Sequence, residues 1–342
     1  RLMNKVAWRS PSNIALVKYW GKYPNQLPAN PSISFTLSTS VSETYLSWEE
    51  AKGNGGNIEV YLDKVLTPSF EPKIKQFFSR INHSLPFLKD YNFRIDTRNS
   101  FPHSSGIASS ASGMSALSLC VLSMAQNLGA EFQDFYKEAS ILSRLGSGSA
   151  SRSVYGPTAV WGKHDLVAGS SDEFAVPHTD IHPLFTSYHD YILLVDKGEK
   201  SVSSTAGHDL MNNHPYAKTR FEHAHKNLSE MLAHLKSGDV ELFGELLESE
   251  ALTLHAMMMT SRPYFVLFKP KTMEIINHIW AFRAETKLPV HFTLDAGANV
   301  HLLFPDAVKQ KVDEFVKSTL VGYCAQGEYL CDRVGNGPEQ LT

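Results

Sequence analysis

The chain has 342 residues, 42% apolar and 20% charged, a composition that suits a globular protein with a sizeable core. Its length exceeds the roughly 250–300 residues that one core serves, so two domains are expected. With 32 basic and 35 acidic residues the formal charge is −3 and no block of like charge stands out, which removes the electrostatic footing for extended nucleic-acid or anionic-membrane binding.

In chain order, Ile33, Phe35 and Leu37 alternate with Ser32, Ser34, Thr36 and Ser38, the period of a half-buried strand. Strand-like runs at 44–48 and 57–62 flank Lys52-Gly-Asn-Gly-Gly56, which predicts a hairpin. Ile107, Ala111, Met114, Leu117, Val121, Met124 and Leu128 then recur every three or four residues, the stripe of a long helix, and a second helix is expected over 132–145. A Pro- and His-bearing connection at 176–183 leads into an apolar strand at 191–196. The domain boundary is therefore placed near residue 185, dividing 1–185 from 186–342. Beyond it, Phe221, Ala224, Leu228, Met231 and Leu235 mark a helix, and further helices are expected over 240–258 and 271–287. Val290, Phe292 and Leu294 alternate with His291, Thr293 and Asp295, and 300–304 makes another strand after a glycine turn. Strands interleaved irregularly with helices predict an α+β fold.

Three scattered cysteines, Cys120, Cys324 and Cys331, support neither a disulfide framework nor a cysteine zinc site. The spacing of His223 and His225 is not that of a helical zinc pair, so no metal-ligating residue is assigned. The opening residues have no signal-like apolar core, and no run of about 18 apolar residues occurs; a soluble, cytoplasmic protein is expected.

Four segments carry residues suited to chemistry. Phe101-Pro-His-Ser-Ser-Gly-Ile-Ala-Ser-Ser-Ala-Ser-Gly113 sets small residues just before a helix, where unpaired N–H groups favour an anion such as phosphate; a Ser-rich capped turn is the plainer reading. No Gly-Lys-Ser/Thr follows, so it is not the common P-loop. In Gly146-Ser-Gly-Ser-Ala-Ser-Arg152, Ser147, Ser149 and Arg152 suit a second anion, or the loop is a helix end with a glycine stop. Lys18 follows a buried-looking run, Ala15–Val17, so its charge calls for an anionic partner, which a structural salt bridge would also provide. Asp295 closes its strand before Ala-Gly-Ala-Asn299, as either a catalytic carboxylate or a turn-former.

As a set these segments resemble a known family. Pro102-x-x-x-Gly106-x-x-Ser109-Ser110-Ala111 resembles the phosphate loop of the GHMP kinase superfamily. Ala15-Leu-Val-Lys-Tyr-Trp-Gly-Lys22, Gly146-Ser-Gly-Ser-Ala-Ser-Arg-Ser153, Val202-Ser-Ser-Thr205 and Asp295-Ala-Gly-Ala-Asn299 are similar, in order and across nearly the whole chain, to motifs of the diphosphomevalonate decarboxylases. The resemblance implies a two-domain GHMP kinase-like fold with the active site between domains. It implies ATP- and Mg2+-dependent decarboxylation of (R)-5-diphosphomevalonate to isopentenyl diphosphate, ADP, phosphate and carbon dioxide, by a homodimer. By motif match, Asp295, Arg152, Lys18 and Asn13 take catalytic positions. Tyr19, Lys22, Ser147, Ser149, Arg152, Ser203 and Ser204 take substrate positions, and Pro102, Ser105, Gly106, Ala108, Ser109 and Ser110 take ATP and phosphate positions. His103-Ser104-Ser105 and Ala298 depart from the family pattern, which has Thr-Ala-Ala before the loop glycine and proline beside the aspartate. The alternatives are a decarboxylase of 5-phosphomevalonate, a GHMP kinase that stops at phosphorylation, and a non-catalytic nucleotide-binding protein.

Overall fold

A computed structural model describes residues 4–53, 55–102, 109–198 and 203–342, with the backbone alone at Ser109 and Ser204. In chain order the elements run β1 (Asn4–Val17), β2 (Lys22–Tyr23), β3 (Leu27–Pro28), β4 (Ser32–Glu50), β5 (Ile58–Leu62), β6 (Val65–Leu66), α1 (Glu71–Ile81), β7 (Tyr91–Asn99), α2 (Ser109–Asn127), α3 (Phe135–Gly146), β8 (Thr158–Trp161) and β9 (Ala175–Pro177). They continue with β10 (His189–Leu193), α4 (Ser204–Asp209), α5 (Ala217–Ser237), α6 (Val240–Met259), α7 (Pro270–Thr286), β11 (His291–Thr293), β12 (Val300–Phe304), α8 (Lys309–Ser318), β13 (Tyr329–Arg333) and β14 (Glu339–Gln340).

The larger sheet runs β14-β1-β4-β7-β5-β6, and the near half of β4 also pairs β8, which carries β9. The hairpin expected around residues 52–56 does not form. β7 lies between its two arms: Trp48 of β4 and Ile58 of β5 both pair with Phe93, the first antiparallel and the second parallel. A central strand satisfies the facing backbone groups of both neighbours along its length, a gain that a local turn signal cannot foretell.

Of the predicted α2 stripe, Ala111, Met114, Leu117, Val121 and Met124 are all buried, Leu128 lies beyond the helix end and is exposed, and Ile107 lies outside the described residues. Its serines have a use as well. Ser115 and Ser112 bond Ser10 and Ser42 of the sheet at 2.6 and 2.7 Å, and Ser123 accepts from the Trp8 indole at 2.8 Å. Small hydroxyl side chains let the helix sit close to the sheet, and these three find partners there, whereas the buried Ser118 hydroxyl has none among the described residues. Helix α3 begins at Phe135, where Asp134 caps it by accepting from the Lys137 N–H.

The second sheet, β11-β12-β10-β13, is antiparallel. Successive residues of β10 feed opposite cores. Tyr191 and Leu193 pack with Ile275 and Ile279 of α7 and Val312 of α8, whereas Ile192 packs with Leu228 of α5, Leu247 of α6 and Phe35 of β4. This second core joins the two halves of the chain, and its rings meet there: Phe35 to Phe185, Tyr188 and Phe243 at 5.9–6.1 Å. The tail then returns to the first sheet, where β14 pairs β1. Among the described residues no helix is long and apolar enough to cross a membrane.

Candidate active site

Between the two sheets lies a cleft of about 410 Å³. The chain enters it at the end of β1, where register shifts between Pro11 and Asn13 and between Ala15 and Val17 break the regular ladder with β4. Such irregularities re-aim side chains. Asn13 and Lys18 both line the cleft.

Lys18 is buried and its ammonium faces the Asp295 carboxylate at 3.4 Å. Its backbone is gripped from the opposite half of the molecule. Glu250 of α6 accepts the Lys18 N–H at 2.8 Å, Arg220 of α5 donates to the Lys18 carbonyl at 3.0 Å, and Asn30 donates to the same carbonyl at 2.9 Å. Arg220 and Glu250 are themselves a two-pronged pair at 2.7 and 2.8 Å, with Asn227 donating to Glu250 at 2.6 Å. Burial raises the Glu250 pKa, but the Arg220 bond and charge and the Lys18 N–H prevail and hold it below the ordinary value. A depressed carboxyl pKa stabilises the fold above the unfolded value and is lost as pH falls through the folded one. Glu250→Gln leaves the Arg220 charge buried without its counter-charge, so thermal or urea unfolding is expected to register a loss of about 3–5 kcal/mol at neutral pH. A loss under about 1 kcal/mol would show that Arg220 finds another partner.

Arg152 is the second buried cation. Its guanidinium donates to Asn13 Oδ1 at 3.1 and 3.2 Å, to Ser34 at 3.1 Å and to Ser32 at 2.5 Å. Asn13 in turn donates to the Ser149 carbonyl at 3.1 Å and to Ser153 at 2.7 Å. Ser32, Ser34 and Thr36 of β4, on the face expected to meet solvent, are fully buried, while Ser38 is half-buried. Over residues 32–37 the strand is covered on both faces, and its polar face is where Arg152 docks. Burial, opposed by Asp295 and then Tyr19, pulls the Arg152 pKa down to about 10, so it is charged at neutral pH. Burial likewise pulls Lys18 below the ordinary lysine value, against the charge of Asp295.

The glycine loop after α3 is a single 3-10 turn, Gly148–Arg152, not a plain glycine stop. A Cβ at Gly148 would lie 2.7 Å from the Trp161 ring and 2.9 Å from the Tyr19 hydroxyl, so close approach is what glycine provides there. Tyr19 packs edge-on to Trp161 and against His208. His208 Nδ1 accepts the Gly21 N–H at 2.8 Å, and burial takes its pKa to about 3, so it is neutral. Gly21 itself has φ +105°, open to glycine at little cost.

Tyr19, Lys22, Ser147, Ser149, Ser203 and Ser110 all line the cleft with Lys18, Asn13, Arg152 and Asp295. Ser203 also caps α4, accepting from Ala206 at 3.1 Å. Pro102 is exposed and is not among the lining residues. Ser109 opens α2, while Ser105, Gly106 and Ala108 lie outside the described residues, as does the departure His103-Ser104-Ser105. At the other departure, the turn after Asp295 is pinned without a proline: Gly297 N–H bonds the Asp295 carbonyl at 2.8 Å, His255 bonds that same carbonyl at 2.8 Å, and Thr272 donates to the Ala298 carbonyl at 2.7 Å.

Helix α1 contributes residues that the motifs did not suggest. Lys73, Gln76 and Arg80 form one helical stripe lining the cleft, and Arg80 donates to the Leu145 carbonyl at 2.9 Å, beside the loop at 146–152. Their spacing of three and four was a readable signal, but a polar stripe ordinarily means a solvated face. Lys22, half-buried and bonded to Gln26 at 2.8 Å, feels Arg80 as a like charge. A second, apolar pocket of about 140 Å³ opens beside the first, sharing Lys73 and Ser110 and lined by Val60, Leu62, Phe70, Ile95 and Met114. The site is thus a cation-rich cleft holding one carboxylate, joined to an apolar slot.

Comparison with known proteins gives the family. Residues 10–174 match the diphosphomevalonate decarboxylase-like N-terminal domain, and residues 191–338 match the mevalonate 5-diphosphate decarboxylase C-terminal domain. The diphosphomevalonate decarboxylase of Eremothecium gossypii is 30% identical over 86% of this chain and 76% of its own length. The phosphomevalonate decarboxylase of Haloferax volcanii is 27% identical over 88% of each. The mevalonate diphosphate decarboxylase structure from Staphylococcus aureus superposes with a TM-score of 0.86 at 27% identity, covering 100% of this chain and 99% of that one. A solved complex of MDDEF with MVAPP, AMPPCP and magnesium gives 0.85 at 27% identity, covering 99% of both.

Two sheets with their helices and a cleft between them, matched over nearly the whole chain, define an α+β protein of the two-domain GHMP kinase-like class. Within that class, the chain belongs to the diphosphomevalonate decarboxylase family.

Proposed function

We propose that this protein catalyses the ATP-dependent decarboxylation of (R)-5-diphosphomevalonate to isopentenyl diphosphate, releasing ADP, phosphate and carbon dioxide, in a cleft between units that divide near residue 185. The observation that carries the reading is the meeting of Lys18, Arg152 and Asp295 in one cation-lined cleft, from segments 277 residues apart at the extremes.

A tertiary hydroxyl is a poor leaving group, which gives ATP its purpose: phosphorylation at C3 creates a phosphate that can depart as the carboxylate loses carbon dioxide. Phosphoryl transfer has a loose transition state, so the chain's work is positioning and charge stabilisation. Asp295 orients the hydroxyl and takes its proton late, because cations beside a carboxylate weaken it as a base. Its negative charge also favours positive character at C3 as phosphate leaves. Arg152, held rigidly by Asn13, Ser32 and Ser34, receives the substrate carboxylate. Lys22 and Arg80, like charges lining one cleft, suit an anion between them, and Tyr19, Ser147, Ser149 and Ser203 complete the substrate set, with Ser204 added by the family resemblance alone.

The apolar slot beside Ser110 would take a flat base, and Lys73, shared by slot and cleft, would meet its phosphates; the family resemblance adds Pro102, Ser105, Gly106, Ala108, Ser109 and Ser110 as phosphate positions. Among the described residues no cluster of three carboxylate, histidine or cysteine ligands exists to hold a metal. Magnesium is held chiefly by phosphate oxygens and needs few from protein; Ser110 would be the candidate here. When bound, the ion neutralises charge on the transferring phosphate.

Arg80→Gln is expected to raise KM for the phosphorylated substrate about tenfold, with kcat little changed, in steady-state assays. Unchanged KM would place the substrate's phosphate elsewhere. A homodimer in the cytoplasm completes the proposal; buried, unbridged Cys120 and Cys324 suit a reducing compartment, and light scattering should return twice the chain mass.

The deciding experiment incubates the protein with ATP, magnesium and mevalonate carrying zero, one or two 5-phosphates, and measures ADP and carbon dioxide together. Equal yields of both with the diphosphate are expected. Preference for the monophosphate is the second reading, favoured by the Haloferax volcanii relative. ADP without carbon dioxide would make the protein a kinase, and no ATP turnover would make it non-catalytic.

A further inference from the structure

A buried pair that the mechanism above does not use stands beside Asp295. His301 of β12 and Asp190 of β10 are both buried, and the ring nitrogen Nδ1 lies 2.8 and 3.0 Å from the two Asp190 oxygens. The other ring nitrogen, Nε2, faces Asp295 Oδ2 at 3.8 Å, an ion-pair separation, while Lys18 faces Oδ1 at 3.4 Å. Sheet register explains the arrangement. Ile192 pairs with His301 and His301 with Thr293, so Asp190, His301 and Thr293 project from the same sheet face, two residues short of Asp295.

Such a pair is costly to bury in a sheet that otherwise fills two apolar cores. Nδ1 bonded to a carboxylate carries a proton, and Nε2 is turned toward Asp295. We propose that His301, oriented by Asp190, is a positioning residue: it holds one oxygen of Asp295 while Lys18 holds the other, so that the carboxylate meets the substrate hydroxyl in a single orientation. This rests on the reading of Asp295 as the group that handles that hydroxyl.

The electrostatics agree. Burial alone would lower the His301 pKa, but Asp190 and then Asp295 outweigh it and hold it above the ordinary histidine value; Lys18, from the end of β1, acts against them. Behind Asp190 stands Asp332 of β13, whose oxygens are occupied by the Ser38, Thr39 and Ser40 amides. His255 of α6, on the Asp295 carbonyl, has its pKa pushed down to about 4 by burial and is neutral.

The test measures kcat and KM against pH for the full-length protein and for His301→Gln, His301→Lys, Asp190→Asn and Asp295→Asn. For His301→Gln, kcat at neutral pH should fall about 10- to 100-fold while KM for each substrate changes little. The acidic limb of the kcat profile should move up by about one pH unit, because Asp295 loses one of its facing cations. Asp190→Asn should move the limb in the same direction, and His301→Lys, which keeps the charge, should move it back. A fall in kcat with the limb unmoved and no recovery with lysine would reduce His301 to packing and overturn the proposal. If Asp295→Asn is inactive while the His301 and Asp190 variants match the parent, the proposal fails and the reading of Asp295 stands. If Asp295→Asn stays active, that reading fails first. Nitrogen-15 spectra of the unmutated protein need no variant to fold: His301 should carry protons on both ring nitrogens at neutral pH, and a neutral ring would overturn the proposal.

Discussion

Asp295→Asn lowers turnover by about two to four orders of magnitude while ATP affinity stays within about twofold. Asparagine keeps the shape of the side chain, so the turn pinned by His255 and Thr272 survives, and the effect falls on charge alone. Two things disappear together. The substrate hydroxyl loses its acceptor, and the buried Lys18 ammonium loses the carboxylate at 3.4 Å. The second loss leaves a cation in the cleft that attracts the anionic substrate, so KM for the mevalonate substrate should hold steady or fall even as kcat collapses. Quench-flow of enzyme-bound ATP, with a nucleotide-analogue titration beside it, separates the two. Turnover within tenfold of the parent would remove Asp295 from the chemistry.

Arg152→Gln is expected to differ in kind, costing both affinity and rate, with kcat/KM down about 10²- to 10³-fold. The guanidinium is a pre-organised fork: its bonds to Asn13, Ser32 and Ser34 fix the plane before any substrate arrives. Glutamine removes the charge and leaves those partners short of donors, so stability should also drop by about 1–3 kcal/mol. Arg152→Lys sharpens the test. A lysine keeps the charge but cannot bridge Asn13 and two serines while presenting a planar face to a carboxylate, so it should recover stability better than kcat/KM. Unchanged kinetics in Arg152→Gln would place this residue outside the site.

These expectations differ in how early they were readable. Lys18 follows a buried-looking run and so stands out locally as a charge in need of a partner, while Asp295 ends an alternating strand and reads locally as either a catalytic carboxylate or a turn-former. That they are partners of each other was legible only through the family resemblance. The serines of β4 misled for a physical reason: alternation identifies two faces of a strand but not which one meets water. Over residues 32–37 neither does, and the polar face became the seat of Arg152. The supposed hairpin at 52–56 failed similarly, since turn residues permit a reversal without requiring the two arms to be neighbours, and β7 took the place between them.

By itself the sequence determined the local elements, because helical and strand periods are written in neighbouring residues: the α2 stripe, the α5 stripe and the strand Val300–Phe304 all stand where the pattern put them. It also determined the family, because its motifs recur in order. Only tertiary structure decided the composition of the site. The α1 stripe at Lys73, Gln76 and Arg80, the Glu250–Arg220 grip on Lys18, and the Asp190–His301 pair beside Asp295 come from elements remote in sequence. Their charges become informative only once packing removes water and forces each one to find a counterpart.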